Sequence, residues 1–124
     1  MIAIKHFLEE IESADGLRIW VEPIGLTRDL AEWCQIHNLL SHVAPPAALW
    51  HWFQNHPDGY EFFRGRYHQW LAKSPYMPAL QELACAARRQ NITLLHQEDD
   101  GEHNTASALQ EFLGELEAYC PRDS

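Results

Sequence analysis

The chain has 124 residues, 46% of them hydrophobic, and its 9 basic and 18 acidic side chains leave a net charge of −9. A chain of this length buries roughly two-thirds of its unfolded surface, so one core can form without staples. The acid excess argues against nucleic acid and anionic membranes as partners. Both need a basic footprint, and the only basic clusters are Arg64/Arg66 and Arg88/Arg89.

A single domain over residues 1–124 is expected, with a loose tail from residue 120. Three cysteines, Cys34, Cys85 and Cys120, are an odd number without framework spacing. That usage points to free thiols in a reducing compartment, with Cys85 in the core. The opening MIAIKHFLEE lacks the apolar run of a signal peptide, and no window approaches the roughly 18 apolar residues of a membrane span. A soluble, cytoplasmic protein is expected.

Ile2, Ile4 and Phe7 mark a first strand, and Leu8–Ala14 suits a helical turn closed by Asp15-Gly16. Leu17–Glu22 is β-branched and aromatic, a second strand that Pro23 ends. Thr27 caps a helix expected to run to about Ser41, before the Pro45-Pro46 break. A short aromatic helix follows through Trp50, Trp52 and Phe53. Asp58 caps the next, which carries Tyr60, Phe63, Tyr67, Trp70 and Leu71 at helical spacing. Ser74-Pro75 opens a helix with Met77, Leu80, Leu83, Ala84 and Ala87 on one face.

Ile92–Leu95 is uniformly apolar or β-branched, the pattern of a strand buried on both faces of a parallel sheet. A last helix carries Ala106, Leu109, Phe112, Leu113 and Leu116. Strands interleaved with helices predict an α/β fold: a small parallel sheet of three or four strands with helices on its faces, in a Rossmann-like three-layer arrangement. Ligands in such folds bind beyond the carboxyl ends of the strands. That rule selects His6-Phe7, Glu22–Gly25 and His96–Asn104.

Four blocks resemble the YeaO-like family, a family of domains of unknown function. Asp15-Gly16-x-Arg18-Ile19-Trp20-Val21-Glu22 is similar to its Asp-Gly-x-Arg-Val-Leu-Val-Asp strand. Ala44-Pro45 with Trp52-Phe53 and Pro57 resembles its Ala-Pro-Ser…Trp-Phe-x-His-x-Pro stretch. Phe63, Arg64, Arg66 and Tyr67 match its Phe-Arg-x-Arg-Tyr helix. Ile92–Leu95 with Asp100, His103 and Asn104 resembles its Val-Thr-Leu-Leu-Tyr…Asp-x-x-His-Asn ending. The family's Arg-Leu-Trp-Pro-Arg-Gly segment is shortened here to Pro23-Ile24-Gly25, without either arginine. Its Leu-Arg becomes Leu49-Trp50, its histidine Asn55, a glutamate Trp70 and its tyrosine His96. The resemblance therefore implies a diverged member and supplies a fold and a site location, with no reaction.

The densest polar constellation is His96, Glu98, Asp99, Asp100, His103 and Asn104, where a strand end feeds a helix start. Histidines beside carboxylates suit proton transfer near neutral pH; the competing reading is an acidic loop in which Asp99 or Asp100 caps the helix. His103, Asn104, His96 and Glu22 are the catalytic candidates, and Arg18, Asp100, His6 and Trp50 the ligand-binding ones. His103 and Asn104 are expected at the start of the last helix, facing Glu22 and His6.

Cys34, His37 and His42 have the wrong spacing for one zinc ion, so no metal is expected there, and no cofactor loop is present. His51, His56 and His68 read as structural. Trp50 and Trp52 cannot both face one core, so one lines a pocket or an interface. Two functions fit: a small-ligand site at the strand ends, catalytic or not, or a non-catalytic protein-interaction module that lost the family's polar residues. A monomer or homodimer suits either.

Overall fold

The computed structural model describes residues 1–121. The apolar runs become strands β1 (Ile2–His6), β2 (Leu17–Trp20) and β4 (Ile92–His96), joined by a two-residue edge strand β3 (Asn38–Leu39). All neighbours are parallel, in the order β1-β4-β2-β3. Ile2 aligns with Ile92 and His6 with His96, while Leu17 aligns with Ile92 and Trp20 with Leu95. The carboxyl ends of β1, β4 and β2 therefore gather at one edge, as the uninterrupted apolar β4 required. Every residue of β4 is buried, which fits its central place.

Side-chain alternation splits the sheet into two faces. Ile19, Val21, Ile92 and Leu94 join the main core beneath α2 (Ala47–Asn55), α3 (Tyr60–Lys73), α4 (Met77–Ala86) and α5 (Thr105–Glu117). The opposite face carries Arg18, Trp20, Thr93 and Leu95 and receives a thinner cover: the 3-10 turn Ser13–Asp15 and the six-residue α1 (Arg28–Trp33). The two helical layers are thus unequal. No helix among the described residues is long and apolar enough to cross a membrane.

Gly16 joins the turn to β2 with φ +64°, and a Cβ there would strike the Asn91 carbonyl that Leu17 N–H engages at 3.0 Å. Glycine alone meets both demands.

Three local expectations are corrected. The helix from Thr27 ends at Trp33, far short of Ser41. Gln35 turns the chain with φ 52°, and the next residues leave to pair with β2: His37 N–H bonds Arg18 O at 2.9 Å and Leu40 N–H bonds Trp20 O at 3.0 Å. The cap of α3 is Gly59, not Asp58; a Cβ there would strike the Trp52 ring.

The cysteines are the third correction. Cys85 and Cys120 are joined in a disulfide, which leaves buried Cys34 as the free thiol. Cys85 is half-buried on α4, where the chain after α5 comes back against it. Cys120 and Pro121 are accordingly tied down, with Arg88 Nη1 donating to Pro121 O at 3.1 Å. The rest of the expected loose tail, 122–124, lies outside the described residues.

Candidate functional site

At the gathered strand ends, His6 and His96 stand edge to face, with ring centroids 5.6 Å apart. His6 is held on both nitrogens: Nδ1 accepts from Leu8 N–H at 3.2 Å and Nε2 meets Gln97 O at 3.2 Å. His96 is only 2% exposed; its Nδ1 makes no well-formed hydrogen bond, although the ring interacts with the Glu98 backbone. Burial holds its pKa below the usual histidine value, so the ring is neutral at pH 7. These two rings, with Lys5, Glu9, Asp99 and Gly101, border an open cavity of about 470 Å³.

Behind them lies a buried acid. Glu22 is wholly inaccessible; Trp50 Nε1 donates to its Oε1 at 3.3 Å and Gln97 N–H to its Oε2 at 3.2 Å. The side chains of Glu98 and Thr105 are its further polar neighbours. Burial, then the neighbouring Glu98 carboxylate, push the Glu22 pKa up to about 9. Glu22 is therefore a neutral acid at pH 7. Glu98 is anchored in turn by Thr105 N–H at 2.7 Å, at the start of α5.

A second cavity of about 410 Å³ opens on the other side of the β4–α5 loop, lined by Phe53, Gln54, Pro57, Glu98, Asp100 and His103. His103 lies here, its side chain 54% exposed, 3.7 Å from Asp100 and with its ring 4.8 Å from that of Tyr60. It does not face Glu22 and His6. The expected orientation of His103 toward Glu22 and His6 fails because α5 starts at Thr105. His103 precedes the helix, and the phase of Ala106 and Leu109 does not orient it.

Other candidates serve the scaffold. Asn104 is the N-cap of α5: Oδ1 accepts from Ser107 N–H at 2.8 Å, and Nδ2 donates to Asp100 O at 2.8 Å. Both ends of its amide are thereby tied to the backbone. Asp100 Oδ1 accepts from the N–H groups of Glu102 and His103, and these bonds hold its pKa low. It closes a turn, and the cap expected of Asp99 or Asp100 falls to Asn104.

Arg18 is 1% exposed on the thin face, away from both cavities. Its Nη1 meets Asp15 at 2.6 Å and its Nε meets Cys34 O at 3.0 Å. The guanidinium sits inside the protein, with its Nη2 lacking a hydrogen-bond partner. Lys5 reaches the same Asp15 at 2.8 Å. Burial alone would raise the Asp15 pKa, but Lys5, the Glu12 N–H and Arg18 together hold it low.

Cys34, His37 and His42 sit in different surroundings. The Cys34 thiol is buried, His37 Nδ1 accepts from Arg18 N–H at 2.9 Å, and the His42 ring lies against Tyr76. Among the described residues, no three His, Cys, Asp or Glu side chains are grouped as a metal would require. Of the two tryptophans in doubt, Trp50 is buried against Glu22, while Trp52 stacks on His56 and leans on Phe62. Sequence reasoning missed Glu9, Thr105 and the partners of Arg18. Glu9 alone carried a signal, three residues beyond a strand end.

A parallel α/β sheet with polar cavities at its carboxyl edge defines the structural class. A family model described as the inactive DUF488-N3 subclade matches residues 1–121, and the chain belongs to that family of domains of unknown function. No curated protein and no solved structure matches it.

Proposed function

We propose that this chain is a non-catalytic domain that binds a small polar ligand in the cavity at the ends of β1 and β4. The observation that carries this reading is His96, a buried imidazole at the border of a 470 Å³ cavity whose Nδ1 makes no well-formed hydrogen bond. Leaving a buried polar atom unpaired costs about 1–3 kcal/mol, and such exceptions gather where a ligand completes the bonding. The family's description as an inactive subclade supports binding without turnover. So does Asn104, whose side chain is held by the cap it makes at the start of α5. The likeness to the YeaO-like family fits the same picture, since the shortened Pro23-Ile24-Gly25 segment tucks under Trp20, whose Nε1 donates to Ile24 O at 2.7 Å.

The test is a fragment library of small polar molecules followed by amide and imidazole NMR. Binders should shift His6, His96, Asp99 and Gly101 together, and the shifts should vanish in His96→Phe. A library whose hits leave these four unmoved overturns the reading.

A second reading, a protein-interaction module, is favoured by one patch. Trp33 is 70% exposed and Leu8 56%, beside a 310 Å³ groove that also holds Phe7 and Ile11, with Glu9 and Glu10 at its border. Exposed aromatic anchors of this kind dominate binding energy at interfaces. A basic partner would suit that border, and Trp33→Ala should abolish its binding while leaving the His96 cavity unaffected.

A further inference from the structure

We propose that the open apolar cavity between β3 and α4 is a separate binding site for a small amine bearing an aromatic or short aliphatic group. The cavity measures about 260 Å³. Its walls are Leu17, Ile19, Leu40, Val43, Leu80 and Leu83, of which Ile19, Val43 and Leu80 are each 1% exposed. The sequence accounts for the space. β3 is only two residues long, so the sheet stops short of α4, and α4 turns the small Ala79 and Ala86 toward the gap. A dry cavity of about 150 Å³ lined by such residues holds benzene, so this one accommodates a larger ring or a short alkyl chain.

The polar groups choose the head. Asn38, His42 and Glu82 are the polar residues of the lining, which includes one carboxylate, Glu82, and neither lysine nor arginine. Apolar walls with a few polar groups at one side are the usual make-up of a small-molecule site. Here they fit an apolar body inserted between sheet and helix, with an ammonium left at the mouth. The net charge of −9 adds attraction for a cation and repulsion for a second copy of the chain. The site lies beside the sheet edge and shares no residue with the His96 cavity, so either can fail alone.

Three matched probes test it: tryptamine, indole and indole-3-acetate, titrated with methyl NMR detection. Tryptamine should shift Leu40, Val43, Leu80 and Leu83, and bind up to about fivefold more tightly than indole, the range of one exposed charge contact. Indole-3-acetate should bind weakest. Ala86→Phe should remove all binding. Glu82→Gln changes an exposed side chain without threatening the fold, and should bring tryptamine down to indole. Absence of shifts at these methyls, or a tryptamine preference that survives Glu82→Gln, overturns the proposal. So does a concentration-dependent dimer that Ala86→Phe disrupts, which would assign the cavity to a second copy.

Discussion

Trp50 donates its indole N–H to the buried carboxyl of Glu22 across 3.3 Å, which ties the middle of α2 to the chain just past β2. The bond joins two segments that sequence inspection treats separately, an aromatic helix and a strand end. It also places a donor on an acid that is already uncharged in the fold.

That neutrality gives a pH signature. Glu22 titrates near 9 in the folded protein against about 4.5 unfolded. Between those values the folded state holds a proton that the unfolded state has released, so this residue lowers stability as pH rises from about 4.5 toward 9. Glu22→Gln should remove the trend. At pH 4.5 the variant should be about 1 kcal/mol less stable, having lost one acceptor, and by pH 8.5 it should overtake the wild type. Urea unfolding at pH 4.5, 6.5 and 8.5 reads the crossover; a constant difference across pH would remove the neutral acid.

The Lys5–Asp15–Arg18 cluster should behave as a buried ionic anchor. Asp15→Ala strands the Arg18 guanidinium, which is 1% exposed, and should cost about 3–5 kcal/mol. Replacing both partners, Asp15→Leu with Arg18→Met, should recover most of that loss. Guanidinium unfolding of the three proteins checks the pattern. Additive losses in the double variant would show that the charges are not coupled.

Asn104 and His103 should separate cleanly. Asn104→Ala removes the cap of α5 and should cost about 1 kcal/mol, while half-exposed His103→Ala should change stability by no more than about 0.5 kcal/mol. Thermal unfolding gives both values. A large loss for His103→Ala would mean that its contact with Tyr60 organises the loop.

The parts read correctly from sequence are those with a strong local period or a composition set by burial. Ile92–Leu95 could only be a central strand, and the stripe from Ala106 to Leu116 could only be a helix face. What went unread depends on contacts distant in sequence. Nothing near Arg18 says that Cys34 O will take its Nε or that Lys5 will share Asp15 with it. Nothing after Thr27 says that residues 38–39 will prefer the free edge of β2 to another helical turn, a choice made by backbone bonds to Arg18 and Trp20. Site residues suffered most: His103 was placed by helix phase, yet it falls two residues before the helix begins.

The Cys85–Cys120 bond was likewise invisible to a count of three cysteines, and it carries the last prediction. The bridge closes a segment with a sequence separation of 35, joining α4 to the chain after α5. Gln81 lies over it, its Nε2 at 3.4 and 3.5 Å from the two sulfurs and 3.1 Å from Leu116 O. By loop entropy such a link is worth about 3–4 kcal/mol. Cys85→Ser with Cys120→Ser, or dithiothreitol on the wild type, should lower stability by that order. Cys34 reports the state independently, because it is the free thiol and is buried. Alkylation in denaturant without reductant should label one cysteine per chain, and with reductant all three. Three labels in both conditions would show two free thiols in place of the bridge, and the stability of the wild type should then ignore dithiothreitol.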